Sequence, residues 1–318
     1  MTIADTEVTD SPVFVVGPLR SGTTLLRLIL DHHPDINAFG EFEAAVSEAV
    51  GNTWPELSSF HEFLATDRQA GSYNFTVDKS LSYEQLVHSF VAQLHQRNPK
   101  SIIAASVHSR QDLLPKLWPN ARFIHLLRDP RDVARSCIGM GWVGNVFEGA
   151  KYWLEPEQHW DLLKQQVKPE QIFEIRYEEM VKNPEQELTK LCEFLGLTYT
   201  DEMLQLEART SYTRPDAKFA EQWKRKMSVA EISWVEHHCK EMMQQRGYAL
   251  AAPDAPSISP LTRLRLKAHS HLYRINLNIK RWGFFTWLAF VVSKRLGLKG
   301  LKAKMQQRIN IRSLNYLK

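Results

Sequence analysis

Residues 12–31 read PVFVVGPLRSGTTLLRLILD, and this run decides the fold. Pro12 to Val16 has strand character and is bounded by Gly17 and Pro18. From about Thr23 to Asp31 the apolar Leu25, Leu26, Leu28, Ile29 and Leu30 predict a helix, which Pro34 ends. Between them GPLRSGTT, Gly17 to Thr24, fits the frame G-x-x-x-x-G. In such a loop the backbone N–H groups and the N-terminus of the following helix face an anion. A nucleoside-triphosphatase loop carries Lys-Ser/Thr after the second glycine, whereas this chain has Thr23 and Thr24. The lysine that reaches the terminal phosphates is missing, and a cation, Arg20, sits inside the loop. A magnesium-dependent phosphoryl-transfer site is therefore poorly supported. An anion neutralised by Arg20 without a metal fits better.

Outward from this run, strand-like and helical patterns alternate. Ser101–Ala105, Arg122–Leu127 and Ile172–Tyr177 read as strands, and Tyr83–Gln96, Gln111–Leu117, Arg131–Ile138 and Glu157–Val167 as helices. Such alternation predicts an α/β fold with a parallel sheet covered on both faces. Two later helices are punctuated at both ends: Asn183-Pro184 opens one that Gly196 closes, and Ser228 with Glu231 opens one that Gly247 closes. The mixed stretch from Glu41 to about Ser82 reads as a flap over a site. A second charged element is RFIHLLRDPRDVARS, Arg122 to Ser136. Arg128 stands at the strand's C-terminal end, where ligands bind in open α/β sheets, and Ser136 follows two helical turns later. Together they suit a further phosphate. The alternative is an ion-pair cluster of Arg128, Asp129, Arg131 and Asp132 capping the helix.

The chain has 318 residues, 43% of them hydrophobic and 24% charged, which excludes a disordered or collagen-like protein. No apolar run reaches the roughly 18 to 20 residues of a membrane span. The N-terminus lacks signal-peptide order, and Cys137, Cys192 and Cys239 form neither a CxxC nor an even set. The expectation is a reducing, cytoplasmic protein with no metal. The net charge of +4 conceals a switch: from Pro256 onward there are 14 Lys/Arg and no acidic residue, leaving 26 basic against 36 acidic before it. The segment 256–318 is thus a separate unit.

The residues resemble the sulfotransferases that use 3′-phosphoadenosine 5′-phosphosulfate (PAPS), in their bacterial and tyrosylprotein branch. Pro18–Arg27 is similar to that family's 5′-phosphosulfate loop, continued by His33-Pro34 and Gly40-Glu41. Arg128–Ser136 resembles its 3′-phosphate element, and Arg176–Met180 with Phe194–Leu197 resembles a further common stretch. The likeness covers roughly residues 12 to 250 and implies a P-loop-type three-layer fold, after a disordered tail over 1–11. It implies in-line sulfuryl transfer to a hydroxyl or amine acceptor, with PAPS held by Arg20, Ser21, Gly22, Thr23, Thr24, Arg128 and Ser136. Tyr177 matches a position near the nucleotide, and Arg214, with Lys218 as competitor, a basic residue closing over it. The implied base is a glutamate after the first helix: Glu41 first, Glu43 close behind, and in an extended segment the two share a face. Where relatives carry a lysine, this chain has Ala105–Arg110, so His108 or Arg110 replaces it. Trp223 reads as a packing residue. Sugar, lipid, phenol and tyrosine all remain open as acceptors.

Within 256–318, the run Trp282–Val292 is flanked by Lys280, Arg281, Lys294 and Arg295. It reads as an interfacial anchor on anionic lipid, with peripheral membrane association. Equally, it reads as a basic helical extension packing on the acidic domain or in a homodimer. Nucleic acid is not an expected partner, because no recognition motif accompanies the charge. Two other functions stay open at this level, a P-loop kinase or NTPase and a non-catalytic nucleotide-binding membrane adaptor.

Overall fold

A computed structural model describes residues 3–253 and 255–313. Five strands, β1 (Val13–Val16), β2 (Ile36–Glu41), β3 (Ile102–Val107), β4 (Arg122–Leu127) and β5 (Ile172–Arg176), form one sheet ordered β2-β3-β1-β4-β5. Every pairing is parallel. The expected α/β architecture is thus present, because period-two alternation sends successive apolar side chains to opposite faces. Phe14, Val16, Ile103, Ala105, Val107 and Phe123 pack on one face against α4 (Tyr83–Arg97) and α6 (Lys151–Lys164). Val13, Val15, Ala104, Ile124 and Leu126 pack on the other against α2 (Thr23–Asp31) and α7 (Pro184–Leu195). Beyond the sheet, α5 (Pro130–Met140) and α8 (Val229–Gln245) share a third cluster around Val133, Cys137, Trp153 and Cys239. The three cysteines are free and buried.

The chain leaves β1 for β2 at one edge, and from β3 it crosses to β4 on the opposite side of β1. The order therefore reverses at β1, and the crevice at the carboxyl ends of these strands is the ligand position of open α/β sheets.

Several elements depart from the expected ones. The N-terminal tail, expected to be disordered, contains a helix, α1 (Ile3–Asp10), in contact with α4 and β3. Periodicity shows no strand between Pro34 and Glu41, although the resemblance puts the base at the end of a strand after the first helix, and β2 lies there: it is an edge strand whose register shifts between Ala38 and Glu41, which breaks the period-two signal. The flap carries a helix of its own, α3 (Leu57–Thr66). Helix α6 begins six residues before the expected start at Glu157, because Pro156 lies inside the helix rather than before it. Gln111–Leu117 is a 3₁₀ turn, Gln111–Leu113, running into a short helix, Leu114–Leu117. Asn183 precedes α7 without a side-chain cap, whereas Ser228 and Glu231 form their capping box. The basic segment folds into three helices, α9 (Pro260–Trp282), α10 (Phe284–Arg295) and α11 (Lys299–Ser313), broken at Gly283 with φ 79°.

One buried ionic network joins β4 to the helices over it. His125 Nε2 lies 3.0 Å from Glu157 Oε1, and Arg246 Nε donates to Glu157 Oε2 at 2.6 Å. His125 and Glu157 are both fully buried. Desolvation pushes the imidazole pKa down, but Glu157 and Glu174 outweigh it and hold the group above its ordinary value. Burial pushes Glu157 up, and the charges of His125 and Arg246 bring it below its ordinary value. Glu157→Gln leaves Arg246 with a reduced buried counter-charge, so it should cost about 3–5 kcal/mol, read as a lower urea midpoint at unchanged m-value. The pair also sets a pH window. The raised histidine contributes fully below its unfolded value, about 6.5, and loses its contribution as pH rises through the folded value. The lowered glutamate contributes above its unfolded value, about 4.3, and loses its contribution as pH falls through the folded one. Urea midpoints should therefore decline on the alkaline side in the wild type, and that decline should flatten in His125→Gln.

Candidate functional site

The loop after β1 is shaped by what lies directly beneath it. Gly17 has φ +140°, and a Cβ there would sit 2.5 Å from the carbonyl oxygen of Leu126 on β4. Arg20 adopts φ 71°, the left-handed region that a side chain normally avoids. Its neighbours hold it there. Arg128 Nη1 donates to the Arg20 carbonyl at 2.9 Å, and Arg20 Nε donates to Ser136 Oγ at 3.0 Å. The two charged motifs, more than a hundred residues apart, thus meet in one cluster. Arg128 also lies over the Tyr177 ring, 4.1 Å from its centroid, pairs with Asp132 at 3.8 Å and donates to the Phe219 carbonyl. Gly22, φ +97°, starts α2, and a Cβ there would meet the Tyr177 ring at 2.5 Å. Burial raises the Tyr177 pKa, so its phenol stays neutral. Ser21 Oγ and Arg128 Nε are buried without a hydrogen-bond partner among the described residues.

The opposite wall comes from the ends of β2 and β3. Val16 pairs with Val107, so Gly17 and His108 leave the sheet side by side. His108, 2% exposed, has Nδ1 at 3.0 Å from the Gly17 carbonyl, so this nitrogen carries a proton and donates. Its Nε2 lies 3.9 Å from Glu41 Oε1. Gln69 donates to Glu41 Oε2 at 2.8 Å, and the Tyr73 hydroxyl donates to the Glu41 carbonyl at 2.8 Å. Burial pushes Tyr73 up to about 12, which keeps it a donor. Glu43 is held differently: its carboxylate accepts from the His108 backbone N–H and from Ser109 Oγ at 2.6 Å. The chain turns at Phe42 into a 3₁₀ turn over Glu43–Ala45, so the extended run in which both carboxylates would share a face is absent. Arg110, at φ 48°, donates to the Gly51 carbonyl and pairs with Asp112, and does not line the cavity.

These walls enclose a cavity of about 840 Å³. Thr23, Thr24, Glu41, Glu43 and His108 line it on one side of the loop, with Arg20, Gly22, Arg128, Tyr177 and Arg214 completing the expected set. Ser21 is buried behind it, and Ser136 is reached through Arg20. Arg214 lines the cavity while its guanidinium pairs with Glu185 at 2.6 Å; Lys218 pairs with Asp216 instead. Trp223 packs over Arg131, 3.6 Å from ring centroid to guanidinium carbon, and Asp132 accepts from its backbone N–H. The sequence reading missed Met140 and Trp142, the segment Ser211–Thr213, and Phe219, all of which line the cavity. It also missed Gln69, the partner of Glu41. A smaller side cavity, about 240 Å³, adjoins the main one at Thr23, Thr24 and Glu41 and reaches Arg27 and Arg68. No cluster of metal-holding side chains occurs among the described residues. The arrangement thus combines cations and a helix N-terminus that suit an anion with a carboxylate and an imidazole that suit proton transfer.

Comparison with known proteins agrees with this geometry. The model described as "Sulfotransferase family" matches residues 12–201. Among curated proteins, the omega-hydroxy-beta-dihydromenaquinone-9 sulfotransferase of Mycobacterium bovis is 25% identical, over 81% of this chain and 80% of its own. A putative protein-tyrosine sulfotransferase of Caenorhabditis briggsae is 27% identical over 60% of this chain and 68% of its own. Among solved structures, the sulfotransferase domain from the curacin biosynthetic pathway has a TM-score of 0.54 at 19% identity, covering 76% of this chain and 98% of its own. The sulfotransferase domain of the Synechococcus PCC 7002 olefin synthase has a TM-score of 0.55 at 18% identity, covering 76% and 95%. These two structures share the fold.

The loop geometry carries a direct test. Gly17→Ala adds a Cβ against an immovable backbone carbonyl, so it should cost on the order of 3 kcal/mol in urea unfolding. Gly139→Ala, in α5 with nothing within 4 Å of the added carbon, should instead be neutral or stabilising by about 0.4–1 kcal/mol.

Proposed function

The chain belongs to the sulfotransferase family, and we propose that it transfers a sulfuryl group from PAPS to a hydroxyl acceptor. The observation that carries this reading is the Arg20 cluster, which joins the loop after β1 to Arg128 and Ser136 beside one cavity. The residues fit the donor. Ser21 Oγ and Arg128 Nε are buried without a partner among the described residues, and glycines 17 and 22 let the loop lie directly against the Leu126 carbonyl and the Tyr177 ring. When bound, PAPS supplies the sulfuryl group and departs as 3′,5′-ADP. Backbone N–H groups of residues 22–24, the side chains of Thr23 and Thr24, and Arg20 would hold its 5′ end. Arg128 and Ser136 would hold the 3′-phosphate, with Tyr177 and Arg214 beside the nucleotide.

Arg20 and the N-terminus of α2 lower the cost of charge developing on the leaving phosphate. Glu41 takes the acceptor's proton. Gln69 holds its Oε2, which fixes the carboxylate and leaves Oε1 towards His108. Glu43, engaged by the residues after β3, fixes the position of His108. The relatives' names give a hydroxylated menaquinone and protein tyrosine as acceptors, which supports a hydroxyl as the group attacked. Three buried thiols suit a reducing compartment, and we place the protein in the cytoplasm.

Calorimetric titration with 3′,5′-ADP and with ATP–Mg separates this reading from a kinase. Metal-independent binding of 3′,5′-ADP is expected, and a preference for ATP–Mg overturns it. Arg128→Ala should weaken 3′,5′-ADP by about 2–3 kcal/mol, or roughly 30- to 150-fold. Glu41→Gln should abolish turnover while leaving 3′,5′-ADP affinity intact. The same loss in Glu43→Gln alone would move the base to Glu43.

A further inference from the structure

Helix α10 half-buries Trp287, Phe290 and Val291 but leaves a second set of apolar side chains exposed. Phe285 is 83% exposed, Leu288 and Val292 39% each, and Leu296, just past its end, 67%. Spaced by three and four residues, they form one stripe about 17 Å long. On the other side, Thr286 and Ser293 are buried. An ordinary surface helix does the reverse. One hydrogen bond ties the buried face to a neighbouring helix: Arg312 on α11 donates to Thr286 Oγ1, while Ser293 Oγ is satisfied within α10 by the Phe290 carbonyl.

The stripe has a defined relation to the cavity. Arg281, at the end of α9, donates to the Met140 carbonyl at 3.2 Å, and Met140 and Trp142 line the cavity. Phe285 follows Arg281 by four residues, so their Cα atoms are within about 14 Å of each other. In addition, α11 is tied to α3 by Lys299–Glu62 at 3.1 Å and by Asn310 donating to the Thr66 carbonyl, two residues before the lining Arg68. The basic unit therefore touches one lining residue, Met140, and the chain two residues from another.

We propose that α10 docks in the interface of an anionic phospholipid bilayer and brings the cavity beside it, so that the acceptor is an amphiphilic alcohol drawn from the membrane. The acceptor half rests on the sulfotransferase reading; the docking half does not. Charge selects the occupant. The 63 residues from Pro256 onward hold 14 cations and no acid, with Lys280, Lys294 and Arg295 exposed around the stripe. Anionic headgroups complement that field, whereas a second copy meeting this stripe about a two-fold axis would set cation against cation. No described helix is long and apolar enough to cross a membrane, so α10 would lie in the surface plane.

The test is co-sedimentation of the full chain with vesicles of phosphatidylcholine alone or mixed with phosphatidylglycerol. The wild type should pellet with the mixed vesicles, less at high salt, and Phe285→Ser combined with Leu288→Ser should weaken this by about tenfold or more. Unchanged 3′,5′-ADP affinity would show that the variant is folded. Equal pelleting of variant and wild type, or a wild type that stays in solution, overturns docking. A concentration-dependent dimer lost in the variant would also overturn it and assign the stripe to a second copy. In a second arm, transfer to a long-chain alcohol in the mixed vesicles should fall in the variant, while transfer to a short soluble alcohol is unchanged. Equal effects on both would overturn the acceptor half. Transfer to neither alcohol by the wild type, with pelleting intact, would overturn the sulfotransferase reading and leave docking standing.

Discussion

Arg128 donates to the carbonyl of Arg20, and Arg20 in turn donates to Ser136. This short chain of hydrogen bonds holds a non-glycine residue at φ 71°, a conformation that costs on the order of 1–3 kcal/mol unless its surroundings enforce it. Enforcement comes from the sheet. β1 and β4 are paired in register, so the loop after one runs directly beside the end of the other. Gly17 is needed where the carbonyl of Leu126 comes closest, and Gly22 where the Tyr177 ring does. The Trp153 indole donates to the Arg128 carbonyl and fixes that residue from behind. Alter this contact and the loop after β1 and the end of β4 lose their mutual placement.

The same sheet ends assign different tasks to similar side chains. Glu41 and Glu43 are two residues apart, yet the turn at Phe42 separates them. One keeps an oxygen towards His108 and the cavity; the other is engaged by the backbone N–H of His108 and by Ser109. Histidines divide likewise. His125, under α6, is bound up with Glu157 and Glu174 in a buried network that ties strand to helix, whereas His108 stands at the cavity. Both rings are buried; their partners and their access to the cavity, not residue type, tell them apart.

The basic C-terminal unit completes the molecule in an unusual way. Its middle helix buries Thr286 and Ser293 and exposes Phe285, Leu288, Val292 and, just past its end, Leu296, while its two neighbours bond to Met140 at the cavity and to Thr66 near it.

The sequence by itself determined the βα units and both charged motifs. β1, β4, α2 and α5 were legible because their signals are local: apolar runs, a glycine frame, a proline at a helix start. The charge switch at Pro256 marked the C-terminal unit for the same reason. What escaped was whatever depends on distant neighbours. β2 is an edge strand with an irregular register, α6 contains a proline, and Met140 at the end of α5, Trp142 just after it and Phe219 line the cavity at positions that no spacing marks. Only the tertiary structure decided that Arg20 binds Ser136, that Arg110 turns away while His108 faces the cavity, and which face of α10 meets solvent. Periodicity records how a residue relates to its own element, whereas these choices are set by the packing of elements against one another.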